Sequence, residues 1–316
     1  MGLFHLEGRA SGEDASVTRQ NPAFTEYPFE TAEELWAALS PTYKFRNGVE
    51  DFVFRGQGDT RWPLVPTVLR PKTYTPVTSY VEMVDTSEMV FSELCALDRF
   101  VKHCDAVGIP IPNDSQSFRK KYLGSDAATF YHKEPWLWPN PDILDLMAMA
   151  QHHGVPTRLL DWTTRAYTAA YFAGSSAVSR FEYWQADDRL AIWAIDRIAL
   201  GAHSQIVLHH SPGAISRHLA AQGGLFTVHP LSCERSSSFY VTSLEGLLRD
   251  IEYSPFIKLT LPIYESVQLL NICSRAGFDA ATIYPSADGA GRAVCDDMNK
   301  NFARAKWNQD EVLVSG

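Results

Sequence analysis

Hydrophobic residues follow two patterns along this chain. Between about residues 79 and 107 they recur with a period near 3.6, which predicts one long amphipathic helix. Thr31 begins a capping box with Glu34 and predicts a short helix, and further helices are predicted at residues 142–151, 214–221 and 265–276 and after Thr163. Short apolar or alternating runs predict strands at residues 51–57, 157–162, 189–195, 225–229, 256–261 and 280–284.

The uneven spacing of these elements favours an α+β fold over a regular series of parallel βαβ units. We expect one domain over residues 29–299, with a helical insertion near residues 79–150. Residues 1–28 are polar and are predicted to form a flexible N-terminal arm. Residues 300–316 are predicted to form a C-terminal tail.

Two opposite charges interrupt the apolar run that follows the turn His153-Gly154-Val155-Pro156. Arg158 and Asp161 stand beside Leu159, Leu160 and Trp162, in a segment that resembles a buried strand. A buried charge needs a partner, because its desolvation is costly. The two side chains are therefore expected to bond to each other, to neighbouring backbone or to a ligand. A buried ion pair between Asp161 and Arg55 is a further alternative.

Composition sets limits on the class of protein. The 316 residues are 45% hydrophobic and 21% charged, as in an ordinary globular protein. The formal charge of −9 argues against broad phosphate binding. The basic triplet Arg119-Lys120-Lys121 is therefore interpreted first as a solvated face, with a local nucleic-acid contact as the alternative. No secretory signal or membrane-length apolar run is evident, which predicts a cytoplasmic protein without a membrane partner.

Several catalytic motifs are absent from the sequence. It contains no G-x-S-x-G elbow, no phosphate-binding P-loop and no G-x-G-x-x-G, so serine hydrolase and Rossmann interpretations lose support. The five cysteines form no zinc motif, and the adjacent histidines at 152 and 153 are interpreted as capping and packing residues. No metal site is predicted.

Three segments together resemble the FRG-domain family, which is named for a Phe-Arg-Gly sequence. They are Phe54-Arg55-Gly56-Gln57 with the following WPLVPTVLR, QHHGVPTRLLDWT at residues 151–163 with AYFA after it, and AQGGLFTVHP at residues 221–230. The late segment GFDAATIYPSADG is similar to the family's ending, with Tyr284 in place of a phenylalanine and Ser286 in place of the first aspartate. The resemblance spans roughly residues 52–291.

A second resemblance concerns ADP-ribosyltransferases of the arginine–serine–glutamate kind. An arginine that ends an early strand as Phe-Arg-Gly resembles their NAD-binding arginine, and Asp161-Trp162-Thr163 stands where their second motif would fall. No Gln/Glu-x-Glu sequence marks a catalytic glutamate on a late strand. The resemblance implies a core of two small packed sheets with helical insertions, and a cleft between the sheets that binds NAD as substrate.

This resemblance implies roles for particular residues. The residues expected to bind NAD are Arg55, Gly56, Gln57, Arg158, Tyr167, Tyr171 and Gln222. The residues expected to act in catalysis are Asp161, Thr163 and Asp288. Structural alternatives remain open for several of them: Tyr167 and Tyr171 are four residues apart on one helix, which is typical of a core, and Gln222 would stabilise a bulge.

The expected activity is ADP-ribosyl transfer from NAD to a nucleic acid or protein acceptor, in a toxin or a phage-defence effector. The alternative is a non-catalytic module that senses a nucleotide in the same pocket. A third hypothesis is a metal-dependent nuclease. It is weaker because Asp187-Asp188 and Asp296-Asp297 are typical of a solvated surface.

Overall fold

A single mixed sheet organises the part of the chain that the structure describes. The computed structural model describes residues 19–21, 23–43, 51–70, 86–201, 206–211, 222–231, 241–249 and 254–314. Its strands are β1 (Arg19–Asn21), β2 (Phe24–Pro28), β3 (Phe52–Gln57), β4 (Leu159–Thr163), β5 (Arg189–Asp196), β6 (Val207–His209), β7 (Gly224–Val228) and β8 (Phe256–Pro262). They lie in the order β1-β2-β8-β5-β3-β4-β7-β6. Strands β2 and β8 run parallel, and every other adjacent pair is antiparallel.

Helices surround the sheet. They are α1 (Ala32–Ala38), α2 (Thr86–Ala106), α3 (Gln116–Tyr122), α4 (Gly124–Lys133), α5 (Leu144–His152), α6 (Ala166–Val178), α7 (Arg197–Gly201), α8 (Leu244–Leu247), α9 (Ser266–Arg275), α10 (Ala280–Ile283) and α11 (Ala287–Val314). The α+β class predicted from the sequence is confirmed. The predicted core of two packed sheets is not confirmed, because all eight strands of the described residues join one sheet.

Helix α6 packs directly on the centre of the sheet. Its alanines lie against Phe52 and Phe54 of β3, and α1 and α9 complete this core. Residues of β3 alternate between two sides of the sheet, so Val53 packs instead with Trp162 and Trp193 in a separate cluster. The sheet centre is therefore buried on both faces.

The predicted helical insertion forms a second core. Val90, Leu94, Leu97 and Val101 of α2 are buried at the spacing that the sequence predicted. They pack with α3, α4 and α5 against Leu159, Phe226 and Val228 at one end of the sheet. The part of the predicted helix before residue 86, and the helix predicted at 214–221, lie outside the described residues.

Both ends of the predicted domain need correction. Residues 19–28 contain β1 and β2, so the flexible arm predicted for residues 1–28 does not include them. Helix α11 runs through Val314 and replaces most of the predicted tail. Trp307 of this helix stacks on Tyr264 at 4.8 Å between ring centres, which holds the helix against the domain.

The strand predicted at residues 280–284 is wrong, since this segment forms the short helix α10. Asp279 caps it by accepting a hydrogen bond from the Thr282 amide, and the Thr282 hydroxyl accepts one from the Asp279 amide. This reciprocal cap satisfies free amide groups at the helix start. It outweighs the strand preference of Thr282, Ile283 and Tyr284.

Candidate active site at the separation of two strands

Strands β3 and β4 separate soon after they meet. Strand β3 pairs with β5 along all six of its residues, but with β4 at Phe54↔Thr163 only. Side chains alternate along a strand, so in this register the Arg55 side chain leaves the sheet on the face opposite to that of the Asp161 side chain. Arg55 Nη1 nevertheless donates a hydrogen bond of 2.7 Å to the main-chain oxygen of Asp161. The Arg55 side chain therefore crosses the gap between the two strands.

Arg55 is held in this gap with spare hydrogen-bonding capacity. Its side chain is 16% exposed, and Nη1 lies 3.6 Å from Asp161 Oδ2. Among the described residues, its buried Nε has no hydrogen-bond partner. Burial lowers the pKa of Arg55, and the Asp161 carboxylate raises it in part. An arginine in this setting remains a cation, and its free donor favours an anionic ligand.

Asp161 presents a carboxylate to solvent at the same place. Its side chain is 62% exposed, and Oδ1 accepts a hydrogen bond of 2.7 Å from Gln151 Nε2. The Thr157 hydroxyl donates to Gln151 Oε1 on the other side of that amide. Asp161 is therefore oriented by α5 and by β3, with one side left open.

A second arginine lies near this pair. Arg70 follows the 3-10 turn Thr67–Leu69, and its Nε donates to the main-chain oxygen of Val65 at 3.0 Å. Burial lowers the pKa of Arg70, the charge of Arg55 lowers it further, and Asp161 raises it. We call Arg55, Arg70, Gln151 and Asp161 the gap site.

Two residues of the C-terminal region, Tyr284 and Arg292, lie near the gap site. Burial raises the pKa of Tyr284, the charge of Arg292 lowers it, and the Asp161 carboxylate raises it further. The Arg292 guanidinium lies 4.7 Å from the centre of the Tyr284 ring. An aromatic ring and a further cation therefore lie close to the gap site, although sequence reasoning gave a site role to neither.

Arg158 lies in the core and does not reach the gap site. It is completely buried and pairs with Glu93 of α2, to which Nε donates at 2.8 Å. Glu93 also accepts from the Trp138 indole at 3.0 Å, and Arg158 Nη1 donates to the main-chain oxygen of His229 at 3.3 Å. The predicted bond between Arg158 and Asp161 is wrong. Asp161 pairs with Arg55 instead, although the pair is not buried as expected, since Asp161 is 62% exposed.

Gly56 and Gln57, predicted to bind NAD, serve packing in this structure. A Cβ on Gly56 would lie 2.1 Å from the main-chain oxygen of Ala169, so its small size admits helix α6. The Gln57 side chain is buried, and its Oε1 accepts a hydrogen bond of 2.8 Å from the Trp193 indole. Neither residue presents a group toward Asp161.

Thr163 and Gln222 form a structural link between β4 and the segment before β7. The buried Thr163 hydroxyl donates to the Gln222 main-chain oxygen at 2.5 Å and accepts from the Arg165 amide at 2.9 Å. Arg165 occupies the N-cap position of α6, two residues after Thr163, and no side-chain capping hydrogen bond forms there. The Thr163 hydroxyl both donates and accepts a hydrogen bond within the protein, which favours a structural role over the predicted catalytic one.

The two tyrosines of α6 also lie in packed surroundings. Tyr167 stacks on Trp36 with 4.1 Å between ring centres. The buried Tyr171 hydroxyl donates to Asp296 at 2.7 Å, and burial followed by this hydrogen bond raises the pKa of Tyr171. These contacts agree with the alternative interpretation of both tyrosines as core residues. The structure does not bring either of them to the gap site.

Asp288 is an exposed residue in the first turn of α11. The hydroxyl of Ser286 accepts a hydrogen bond of 3.3 Å from the Gly289 amide, so serine at this position supplies an acceptor as an aspartate would. A Cβ on Gly289 would lie 1.8 Å from the Tyr284 main-chain oxygen. This close approach explains the glycine in the Asp-Gly pair.

The basic triplet at residues 119–121 is largely neutralised. Arg119 forms paired hydrogen bonds with Asp105 and Asp114 at 2.6–2.9 Å, and these bonds raise the pKa of Arg119. Lys121 lies 3.8 Å from Asp142. The arrangement favours the solvated-surface interpretation over a nucleic-acid contact.

Two further features are absent from the described parts of the chain. There, no group of three or more His, Cys, Asp and Glu side chains is placed to hold a metal ion. No helix in those parts has both the length and the apolar character needed to cross a membrane.

Comparison with known proteins places the gap site inside a recognised domain. A family model for the FRG domain matches residues 50–180. The chain therefore contains a segment that matches the FRG domain. The match includes all four residues of the gap site but ends before β5, so the resemblance of the segments after residue 180 remains a prediction. No curated protein and no solved structure matches the chain.

Proposed function

We propose that this protein, whose residues 50–180 match the FRG domain, is an NAD-dependent ADP-ribosyltransferase that modifies a nucleic acid or protein acceptor. The observation that carries the proposal is the gap site. It combines a mostly buried arginine that has a free donor with an adjacent, exposed carboxylate. A substrate with phosphate groups beside a developing positive charge needs both groups.

The arginines suit the diphosphate of NAD. Guanidinium groups match phosphate oxygens with paired, directed hydrogen bonds, which a lysine does not provide. Arg55 offers its unpartnered Nε, and Arg70 is near enough for the two charges to influence each other. Their mutual repulsion would be relieved by an anion bound between them.

Asp161 suits the reacting end of the substrate. In the transfer, the bond between ribose C1′ and the nicotinamide nitrogen breaks, and its electron pair leaves with nicotinamide. The acceptor nucleophile bonds to C1′ and loses its proton, which the Asp161 carboxylate accepts. The same carboxylate stabilises the positive charge that develops at C1′. Its solvent-exposed side leaves room for the acceptor.

The first test follows nicotinamide release from NAD by the purified protein, with nucleic acid or protein acceptors supplied. Arg55→Lys and Arg55→Ala are expected to lower kcat/KM for NAD by about 100-fold or more, because phosphate contacts are lost. Arg61→Ala is the control, since Arg61 is 65% exposed and, among the described residues, its ion pairs are with Asp59 and Asp188, away from the gap site. Turnover that is unchanged in Arg55→Ala would show that the site is misassigned.

A nucleotide-sensing module is the second candidate, and the late strands favour it. The described strands β7 and β8 read GLFTV and FIKLTLP and contain no acidic residue, so neither supplies a catalytic glutamate. This module would bind NAD without releasing nicotinamide. Isothermal titration with NAD, run beside the release assay, separates the two functions. Cleavage of nucleic acid that depends on an added divalent metal, and not on NAD, would instead indicate a nuclease.

A further inference from the structure

A directed hydrogen-bond chain leads from the start of β4 to the Asp161 carboxylate. The Leu159 amide donates to Thr157 Oγ1 at 3.2 Å, which leaves the hydroxyl hydrogen free to donate to Gln151 Oε1. The amide of Gln151 is thereby fixed with its nitrogen on the opposite side. Gln151 Nε2 donates to Asp161 Oδ1 at 2.7 Å.

We propose that Gln151 is a positioning residue that holds the Asp161 carboxylate in its reactive orientation, an inference that rests on the proposed function. Aspartate side chains rotate with little preference about their last bond. Asp161 is 62% exposed, so burial does not fix it. Gln151 holds Oδ1 from α5, while Arg55 lies 3.6 Å from Oδ2 on the other side.

The turn between α5 and β4 produces this arrangement. Gly154 has a φ of 87°, in the left-handed region that favours glycine, and its amide bonds to the Gln151 main-chain oxygen at 2.9 Å. The Val155 amide then bonds to the Ala150 oxygen at 3.0 Å, which completes the helix end. The chain reverses there and brings Thr157 and Asp161 beside Gln151. The segment at residues 151–161 thus contains both Asp161 and the residues that hold its carboxylate in place.

Gln151→Glu is the main test variant. It keeps the volume and the oxygen that accepts from Thr157, but replaces the donor facing Asp161 with a like charge. We expect kcat to fall about 10- to 100-fold, as for the loss of other orienting partners, with little change in KM for NAD. Thr157→Val is expected to give a smaller fall in kcat, and Thr157→Ser, which retains the hydroxyl, is expected to restore it.

A matched control lies elsewhere on the surface. Gln268 Nε2 donates to Glu33 Oε1 at 2.7 Å, the same amide-to-carboxylate contact between exposed partners. Gln268→Glu is expected to leave kcat and KM unchanged. A fall in kcat equal to that of Gln151→Glu would mean that the effect is a general one on the fold, and would overturn the proposal.

A double-mutant cycle with Asp161→Ala tests whether Gln151 acts through Asp161. The inference requires that Gln151→Glu lowers kcat no further once Asp161 is removed, because the two residues act as a unit. If the double variant instead shows the product of the two single-variant losses in kcat, the inference is overturned.

The side-chain amide signals of Gln151 in the nuclear magnetic resonance spectrum give a reading without substrate. We expect them to shift in Asp161→Ala and Thr157→Val and to stay in place in Thr157→Ser. Signals that do not move in Asp161→Ala would overturn the positioning role. If wild-type protein releases no nicotinamide but these shifts occur, the transferase proposal fails while the support of Asp161 by Gln151 stands.

Discussion

Gly56 lies where helix α6 crosses strand β3, and it separates two roles within the Phe-Arg-Gly sequence. A Cβ at this position would lie 2.1 Å from the Ala169 oxygen and 2.5 Å from the Ala173 nitrogen. Both are main-chain atoms of α6 and cannot rotate away as a side chain can. The glycine is therefore needed for packing, while the preceding Arg55 faces the gap between the strands.

Gly56→Ala is accordingly expected to lower the free energy of unfolding by about 3 kcal/mol or more, since inserting a methyl group into a packed contact is costly. Urea denaturation measures the change. Gly291→Ala is the control, because a Cβ there meets no atom within 4 Å and the residue is inside α11. Alanine at 291 is expected to stabilise the protein by about 1 kcal/mol. Equal effects of the two substitutions would contradict the packing role of Gly56.

Strand β4 and the residue before it connect the sheet to two helices. Arg158 pairs with Glu93 of α2, and Asp161 bonds to Gln151 of α5. Residues three apart along an extended chain project to opposite faces, so Arg158 and Asp161 do not meet. The sequence shows that both charges need partners. It points to Arg55 as a partner of Asp161 but gives no sign of the partner of Arg158, because Glu93 lies in an ordinary helical pattern.

Glu93→Gln tests the connection between α2 and β4. It leaves the Arg158 charge buried without its carboxylate, and we expect the free energy of unfolding to fall by about 3–5 kcal/mol. Asp98→Asn on the same helix is the control, since the ion pair of Asp98 in the described part of the chain is with the exposed Lys102. Replacing both partners, as Glu93→Leu with Arg158→Met, is expected to recover most of the loss. A Glu93→Gln variant as stable as the control would contradict this account.

Elements that depend on local periodicity or capping are well predicted from this sequence. Helices α1, α2 and α9 and strands β3 to β5 fall within a few residues of their predicted bounds, apart from the start predicted for α2, which lies outside the described residues. The sequence predicts only two of the four residues of the gap site. Arg55 and Asp161 stand out as charges in apolar runs, whereas Gln151 and Arg70 have unremarkable neighbours and are recognised only from their contacts. The single sheet also depends on pairings between distant strands, which periodicity does not reveal.

At the scale of the whole molecule, a buried histidine makes stability depend on pH. His229 follows β7 and is 4% exposed. Burial, assisted by the nearby charge of Arg158, lowers its pKa to about 4, against an ordinary value near 6.5. The folded protein thus keeps this imidazole neutral at a pH where the unfolded chain binds a proton. The resulting stability is present above pH 6.5 and is lost as the pH falls toward 4.

We expect His229 to make the protein about 2 kcal/mol less stable at pH 5 than at pH 7. His229→Gln removes the titrating group, so the difference in unfolding free energy between these two pH values should shrink by about that amount. Urea denaturation at both values measures it. His210→Gln is the control, since His210 is exposed, and it should retain the wild-type difference. A His229→Gln variant with the full wild-type difference would show that other groups are responsible.

The central place of β3 in the sheet has a consequence for the order of events during synthesis. Arg55 and Asp161 are separated by 106 residues, and the indole of Trp193 bonds to Gln57 across 136 residues. At ribosomal rates of about 5–20 residues per second, β3 leaves the ribosome on the order of 10 s before its two neighbouring strands exist. During that interval its apolar FVF sequence is unpaired. We therefore expect nascent chains that stop before β4 to bind chaperones and aggregate, whereas chains that extend beyond β5 do so much less.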